Sequence, residues 1–365
     1  MRQAVLFPAA AVLAGAFLSL IGWSWDIQWH NDVGPDTFFT MPHLFLYAGS
    51  ALCGITALIV VLRTTAAQRS GRPVDPAVGG RSVRVLRGTF VAPLGYLITG
   101  SAAATFLLYG LWDQWWHGLY GFDAQLNSPP HVGLLLGNFA TILGAMLTFA
   151  AARHERWGRV GVYVSLAMLI AFVPVLSDAF QQISGPVDIV SACVACLTVL
   201  TLVTATALFR RPGAALLVAA ALAAIQLPLW LVTPWATSTY ADAVGLPMRD
   251  FTAPQPIMPG WIPLSVVVAA LLVEAAWLLV RARRWSPGAA VPVSGAVAAA
   301  TLAVLIPLQQ AILFEVPLPG FLDIVVYIAP TFVVAAGIGA LAGVAARRLG
   351  FMLRLLGTSP AGVAA

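Results

Sequence analysis

The first apolar stretch of the chain reads AVLFPAAAVLAGAFLSLIGWS over residues 4–24 and contains no charged side chain. A helix rises about 1.5 Å per residue, so a stretch of this length covers about 30 Å, the thickness of the hydrocarbon core of a bilayer. Nine further stretches follow, near 42–62, 89–112, 131–152, 160–177, 188–209, 213–233, 261–281, 289–308 and 323–346. The pattern predicts an all-α, polytopic integral membrane bundle with about ten transmembrane helices.

The composition of the whole chain agrees with this prediction. Of the 365 residues, 60% are hydrophobic and 9% are charged, and the mean hydropathy is +0.90. A soluble domain carries about a quarter charged residues, so this composition argues against a soluble protein. Three cysteines do not describe a disulfide framework.

Positive charge is distributed in a way that predicts topology. All 19 basic residues are arginines. They cluster in alternate connections, at Arg63–Arg87, Arg153–Arg159, Arg210 and Arg211, Arg281–Arg284, and Arg347–Arg354. Cytoplasmic connections are enriched in basic residues, so both termini are expected inside, in a bacterial cytoplasmic membrane. Only Arg249 falls in a predicted outer loop, over 234–260, and no basic surface remains to indicate a nucleic-acid partner.

Residues 1–155 contain an internal repeat of two helical hairpins. The first copy consists of Trp25, Asp26, Trp29, His30, Gly34, Asp36, Pro42 and His43. The second copy consists of Trp112, Asp113, Trp116, His117, Gly121, Asp123, Pro130 and His131, at an offset of 87 residues that becomes 88 after one insertion. The repeat predicts a duplicated metal-binding membrane region over 1–155, followed by a six-helix membrane region of unknown role over 156–365.

Each copy offers one carboxylate and two imidazoles at one membrane level. The aspartate and the first histidine are four residues apart, so they project from one helix face, and the second histidine begins the next helix. Such a set suits copper, zinc or non-haem iron. The predicted metal ligands are Asp26, His30, His43, Asp113, His117 and His131, with Asp36 and Asp123 expected to orient the imidazoles from outside. The alternative is that these side chains only cap helices or lie at the membrane interface.

The first copy resembles the C subunit of particulate methane and ammonia monooxygenases. That family carries an Asp-x3-His-x12-His copper motif, which the spacing of Asp26, His30 and His43 reproduces without a gap. The resemblance implies one copper site at these three residues. It implies an adjacent site at Asp113 and His117 that draws on His43. The family has Asn where this chain has Asp113, and the likeness covers only residues 1–155.

The resemblance implies an O2-dependent oxidation of a small apolar substrate that arrives through the lipid bilayer. It also implies further membrane or periplasmic subunits, and the chain itself could form a homo-oligomer. The alternative function is acquisition or transfer of copper or zinc at the outer face without redox turnover. Haem ligation by two histidines is less attractive, because each histidine comes with a carboxylate. Glu274 lies inside the eighth apolar stretch, where it could relay protons or, as a protonated acid, bond to a neighbouring helix.

Overall fold

The computed structural model describes residues 2–34, 36–121 and 126–357, and it is built almost entirely from helices. The helices are α1 (Arg2–Asp32), α2 (Met41–Arg69), α3 (Leu94–Tyr120), α4 (Pro129–Ala151), α5 (Arg156–Asp178), α6 (Ile189–Phe209), α7 (Ala214–Val244), α8 (Ile257–Trp261), α9 (Val266–Arg281), α10 (Pro287–Leu313) and α11 (Phe321–Leu355). Within the described residues, ten segments are long and apolar enough to cross a membrane, with α8 and α9 counted together as one. The prediction of an all-α bundle with about ten spans is confirmed.

Several helices extend beyond their predicted ends, and two of these extensions matter for the regions discussed below. Helix α1 continues to Asp32, which places Asp26 and His30 within one helix. Helix α7 continues to Val244, so the first part of the predicted loop 234–260 is helical. Hydropathy locates the apolar part of a helix, and both extensions consist of more polar residues that continue the same helix beyond it.

The predicted third span begins later than expected because its first residues form a strand. Strands β1 (Ser82–Val85) and β2 (Phe90–Pro93) are antiparallel, with Ser82 paired to Pro93 and Val85 paired to Phe90. The connection between them includes Gly88, at a φ of 89° that favours glycine. A short apolar strand followed directly by an apolar helix has no break in hydropathy, so residues 89–93 were included in the predicted span 89–112.

The chain divides into two compact units. Unit 1 comprises residues 1–23, 35–169 and 352–365, and unit 2 comprises residues 24–34 and 170–351. Helix α1 therefore leaves unit 1 after Trp23. The aspartate and both histidines of the second motif copy all belong to unit 1.

In unit 1, helices α3 and α4 approach each other through glycines. A Cβ atom added at Gly144 would lie 2.7 Å from the backbone nitrogen of Thr99, and one added at Gly95 would lie 2.8 Å from that of Thr148. The two threonine hydroxyls donate to carbonyls of their own helices, so no polar group is left unsatisfied at this contact. Small residues of this kind allow close backbone packing of membrane helices. The contact fixes α3 against α4 and hence the relative height of the side chains that they carry.

We expect Gly144→Ala to lower the free energy of unfolding by about 1 to 3 kcal/mol, the usual cost of overpacking. The matched control is Gly110→Ala in α3, because its new Cβ would meet Tyr47 at an ordinary 3.4 Å. That control should leave the free energy of unfolding unchanged or raise it slightly, as Ala favours helix over Gly. Reversible denaturation in mixed micelles measures both values. Equal effects of the two substitutions would contradict the close contact.

In unit 2, the predicted eighth span 261–281 is broken near its start. Helix α8 ends at Trp261, Ile262 is extended with a ψ of 128°, and α9 begins only at Val266. Pro263 explains the break, because a residue that precedes proline is disfavoured in the helical conformation. The predicted span 261–281 is therefore non-helical over residues 262–265, and its continuous helix begins at Val266.

Glutamine side chains satisfy the backbone groups that this break leaves without helical partners. Gln309 Nε2 donates to the carbonyls of Gly260 and Ile262, both at 2.9 Å, and its Oε1 accepts from the Leu264 amide at 2.6 Å. Gln226 donates to the Pro259 carbonyl at 2.9 Å. Irregular backbone at membrane depth requires such internal partners, since lipid offers none.

Glu274 caps the beginning of a neighbouring helix. Its side chain is buried, and its two oxygens accept from the backbone amides of Gly213 and Ala215 at 2.9 and 2.7 Å. Helix α7 starts at Ala214, so these amides belong to the end of the helix that has no internal acceptors and carries partial positive charge. The contact is a bond to a neighbouring helix, as the alternative predicted, but both oxygens accept from amides, so it does not use the proton that the alternative gave to the acid. Proton relay by Glu274 stays a prediction.

Candidate metal centre

The second motif copy brings three ligand side chains together within unit 1. Asp113 Oδ2 lies 3.4 Å from His117 Nε2, and Asp113 Oδ1 lies 3.3 Å from His131 Nε2. Asp113 is buried in α3, one helical turn before His117, and the histidine side chains remain partly exposed. One carboxylate thus stands between two imidazoles that come from different helices.

The spacing of these atoms fits coordination of a single ion. Ligand atoms held about 2.1 Å from a metal at the tetrahedral angle lie about 3.4 Å apart. The two separations, 3.3 and 3.4 Å, are close to that value, although they involve different oxygens of Asp113. One donor atom from each of the three residues can be chosen so that all lie within 4.8 Å of one another. Three protein ligands leave a coordination position for a further molecule.

The second nitrogen of His117 is held by the backbone. His117 Nδ1 lies 3.1 Å from the carbonyl oxygen of Gly121. A carbonyl can only accept a hydrogen bond, so the proton of the neutral ring belongs on Nδ1 in this contact. The lone pair of Nε2 then faces Asp113, which is the arrangement that metal binding requires.

The start of helix α4 sets the position of His131. Ser128 precedes the helix, Pro129 and Pro130 occupy its first two positions, and His131 is the third helical residue. Proline suits the first turn, because its missing N–H would have no helical acceptor there. In the same way Thr40 precedes α2, Pro42 is its second residue and His43 its third. The repeat predicted from sequence therefore places both histidines at equivalent positions in their helices.

His43 is paired with Asp36 in unit 1. Its Nε2 lies 3.0 Å from Asp36 Oδ2, and its Nδ1 lies 3.0 Å from the carbonyl oxygen of Thr37. We expected Asp36 to orient the ring from outside a metal site. The structure places its carboxylate instead at Nε2, where a metal ligand would lie, and the Thr37 carbonyl takes the orienting position.

Asp26 and His30 form the corresponding pair in the part of α1 that belongs to unit 2. Asp26 Oδ2 lies 3.8 Å from His30 Nε2, and Asp26 is buried. The adjacent Trp29 is 1% exposed and contacts the ring of Tyr240 from α7. The end of the helix is held by Arg249, whose backbone amide donates to the Asp32 carbonyl at 2.7 Å. Part of the predicted loop 234–260 thus packs on this segment of α1.

The described ligand residues of the second copy lie within one unit, whereas those of the first copy belong to two units. Asp113, His117 and His131 form one group, which His43 does not join, so the implied sharing of His43 by the second site is replaced by His131. Asp123 lies outside the described residues. Trp25 and Trp29 are buried, whereas their counterparts Trp112 and Trp116 are exposed and partly exposed, so the tryptophans of the two copies do not share one environment.

Sequence reasoning missed the backbone carbonyls of Thr37 and Gly121. Gly121 is part of the repeated pattern, and its φ of 82° turns the chain at the end of α3 so that its carbonyl meets His117. A glycine four residues after a candidate ligand was the available signal, since glycine readily ends a helix.

Comparison with known proteins assigns the chain to no family. No protein-family model matches the chain, and neither a curated protein nor a solved structure matches it.

Proposed function

We propose that the chain is a membrane metalloprotein that oxidises a small apolar substrate with O2 at the Asp113, His117 and His131 site. The observation that carries the proposal is the placement of the Asp113 carboxylate between two imidazole nitrogens at 3.3 and 3.4 Å. The resemblance to the monooxygenase C subunit favours copper, and the same donors also suit zinc or non-haem iron.

The residues of this site have separate roles in the proposal. Asp113 supplies the anionic oxygen and ties the two histidines to one centre, while Gly121 keeps the His117 proton on Nδ1. When bound, a redox-active metal supplies open coordination positions at which O2 can be reduced. The reaction consumes one substrate molecule, O2, two electrons and two protons, and it gives a hydroxylated product and water. An external reductant therefore has to supply the electrons.

Exposed apolar side chains near the site support an apolar substrate. Leu111, Trp112, Trp115 and Leu119 flank Asp113 and His117 on α3, and each is more than a third exposed. Such a surface faces lipid in a membrane-spanning helix, so a hydrocarbon dissolved in the bilayer would reach α3 without crossing water.

The proposal includes a location and an assembly. The arginine distribution supports both termini inside a bacterial cytoplasmic membrane, with the metal site on the outer side. Further membrane or periplasmic subunits, or additional copies of this chain, would complete the path for electrons. At the first motif copy, the assignment of Asp26, His30 and His43 as metal ligands stays a prediction.

Metal reconstitution followed by oxygen exposure tests the proposal. The purified protein is stripped with a chelator, loaded anaerobically with Cu(I) and analysed for metal per chain. It is then given ascorbate, a short alkane and O2. We expect stoichiometric copper, oxygen consumption above that of the stripped protein, and hydroxylated alkane. Absence of bound metal would overturn the proposal.

Acquisition or transfer of copper or zinc is the second candidate function. The partial exposure of His117 and His131 favours it, because a metal could leave to an acceptor protein at this surface. Stoichiometric copper without oxygen consumption, together with transfer of the copper to a soluble chelating protein, would support this function over oxidation.

A further inference from the structure

A cleft of about 470 Å³ lies within unit 2, and its lining includes none of the residues that the proposed function uses. Its lining includes the carboxylates of Asp178, Asp188 and Asp323, the aromatic rings of Trp261 and Tyr327, and the amide of Gln310. The rest of the lining is mainly proline, isoleucine, valine and alanine. The volume lies within the range of about 300 to 1,000 Å³ that is typical of sites for small molecules.

The backbone around the cleft is irregular in two places. Trp261 is the last residue of α8, directly before the break that precedes α9. Tyr327 and Ile328 belong to a π-helical turn over Ile324–Ile328 within α11. Helix breaks in membrane proteins commonly line binding cavities, and π-helical turns occur frequently at functional sites. Both interruptions of regular helix border the same cleft, and they are observations separate from the three carboxylates.

The charged residues that line the cleft are all acidic. Its lining contains three carboxylates and neither arginine nor histidine. Local contacts hold each carboxylate in place: Asp188 Oδ1 accepts from the Ser191 amide at 3.0 Å, Asp323 Oδ2 from the Gly320 amide at 2.9 Å, and Asp178 Oδ2 from Gln181 at 2.9 Å. Each retains further acceptor capacity, since a carboxylate has about four lone-pair sites.

The carboxylates are too far apart to form a cage for one metal ion. No choice of one oxygen from each of the three brings them all within 4.8 Å of one another. Separated carboxylates combined with aromatic and aliphatic walls are complementary to a larger cation that carries apolar groups. Aromatic rings add to this complementarity, because cations bind to their faces.

We propose that this cleft binds an organic cation, an amine or quaternary ammonium group attached to an apolar body. The ammonium group would lie among the carboxylates with the apolar body against the proline and isoleucine side chains. Binding here does not depend on the metal site, which is built from other residues.

Equilibrium dialysis of the full-length protein in a neutral maltoside detergent tests the proposal. The probe is benzyltrimethylammonium, and its uncharged isostere neopentylbenzene controls for apolar partition after subtraction of empty micelles. We expect the cation to bind at least 10-fold more tightly than the isostere. Equal binding of the two compounds would overturn the proposal.

Two sets of variants locate the binding. The double variant Asp188→Asn, Asp323→Asn keeps the side-chain acceptors that fix the local turns, and we expect it to weaken binding of the cation at least 10-fold. Tyr327→Leu should weaken it several-fold through loss of the ring. Asp250→Asn, which removes an exposed carboxylate that does not line the cleft, should leave the affinity unchanged. Unchanged binding in the double variant, or displacement of the cation by Zn²⁺ at equimolar concentration, would overturn the proposal.

Discussion

Asp113→Ala should lower the metal content of the protein by one equivalent per chain and weaken metal binding at this site by at least about 100-fold. Loss of a side chain that only orients a ligand already costs about 10- to 100-fold, and Asp113 is placed to contact the metal itself. Its two oxygens lie at both candidate imidazoles, so its removal also ends the link between α3 and α4 at this point. Titration of the stripped protein with Cu(I) against a competing chelator measures the affinity.

Three further variants test whether the loss of metal is specific to this site. Asp113→Asn keeps one oxygen but turns an amide donor toward one imidazole, so its loss of affinity should be smaller than that of Asp113→Ala. His117→Ala should match Asp113→Ala, whereas the control His154→Ala, which removes an exposed histidine outside the site, should bind metal as the wild type does. Wild-type metal content in both Asp113→Ala and His117→Ala would show that these residues do not bind the metal.

Among the single substitutions that we propose in unit 2, Glu274→Ala should be the most destabilising. It leaves the buried amide of Ala215 and the part-buried amide of Gly213 without their acceptor, at a cost of about 1 to 3 kcal/mol for the first and less for the second. The expected loss in the free energy of unfolding is therefore about 1 to 5 kcal/mol. Glu274→Gln keeps one acceptor oxygen and should lose about half as much. Reversible denaturation in mixed micelles measures both values.

The matched control is Glu315→Gln, because Glu315 is exposed. A surface substitution of this kind usually changes stability by less than about 0.5 kcal/mol. If Glu274→Gln and Glu315→Gln gave the same stability, Glu274 would not be a cap of α7. A Glu274→Gln variant that kept its stability but lost proton-coupled activity would instead favour the proton relay.

Hydropathy was sufficient to predict the ten spans because each buried or lipid-facing helix is a long apolar run. It could not predict β1 and β2, whose valines are as apolar as the helix that follows them. It also missed the break before α9, since Ile262, Pro263 and Leu264 continue the apolar run while Pro263 interrupts the helix. The division into two units depends on contacts between distant segments, which one sequence does not contain.

The part of the candidate site that depends on the spacing of residues along the sequence was predictable. The four-residue interval places Asp113 and His117 on one face of α3, and the Pro-Pro-His sequence places His131 in the first turn of α4. The approach of α4 to Asp113 depends on glycine contacts such as that of Gly144 with Thr99, which no spacing reveals. The role of Asp36 at Nε2 of His43 likewise depends on how the connection to α2 folds.

The carbonyls of Thr37 and Gly121 have a consequence for the speed of metal uptake. Each anchors one edge of an imidazole, so neither ring can rotate by half a turn without breaking that bond. These two hydrogen bonds limit the orientation of each ring, which lowers the entropic penalty of ordering the rings when an ion binds. Arrival of an ion should then require little rearrangement, and the association rate should be governed by diffusion and desolvation of the ion.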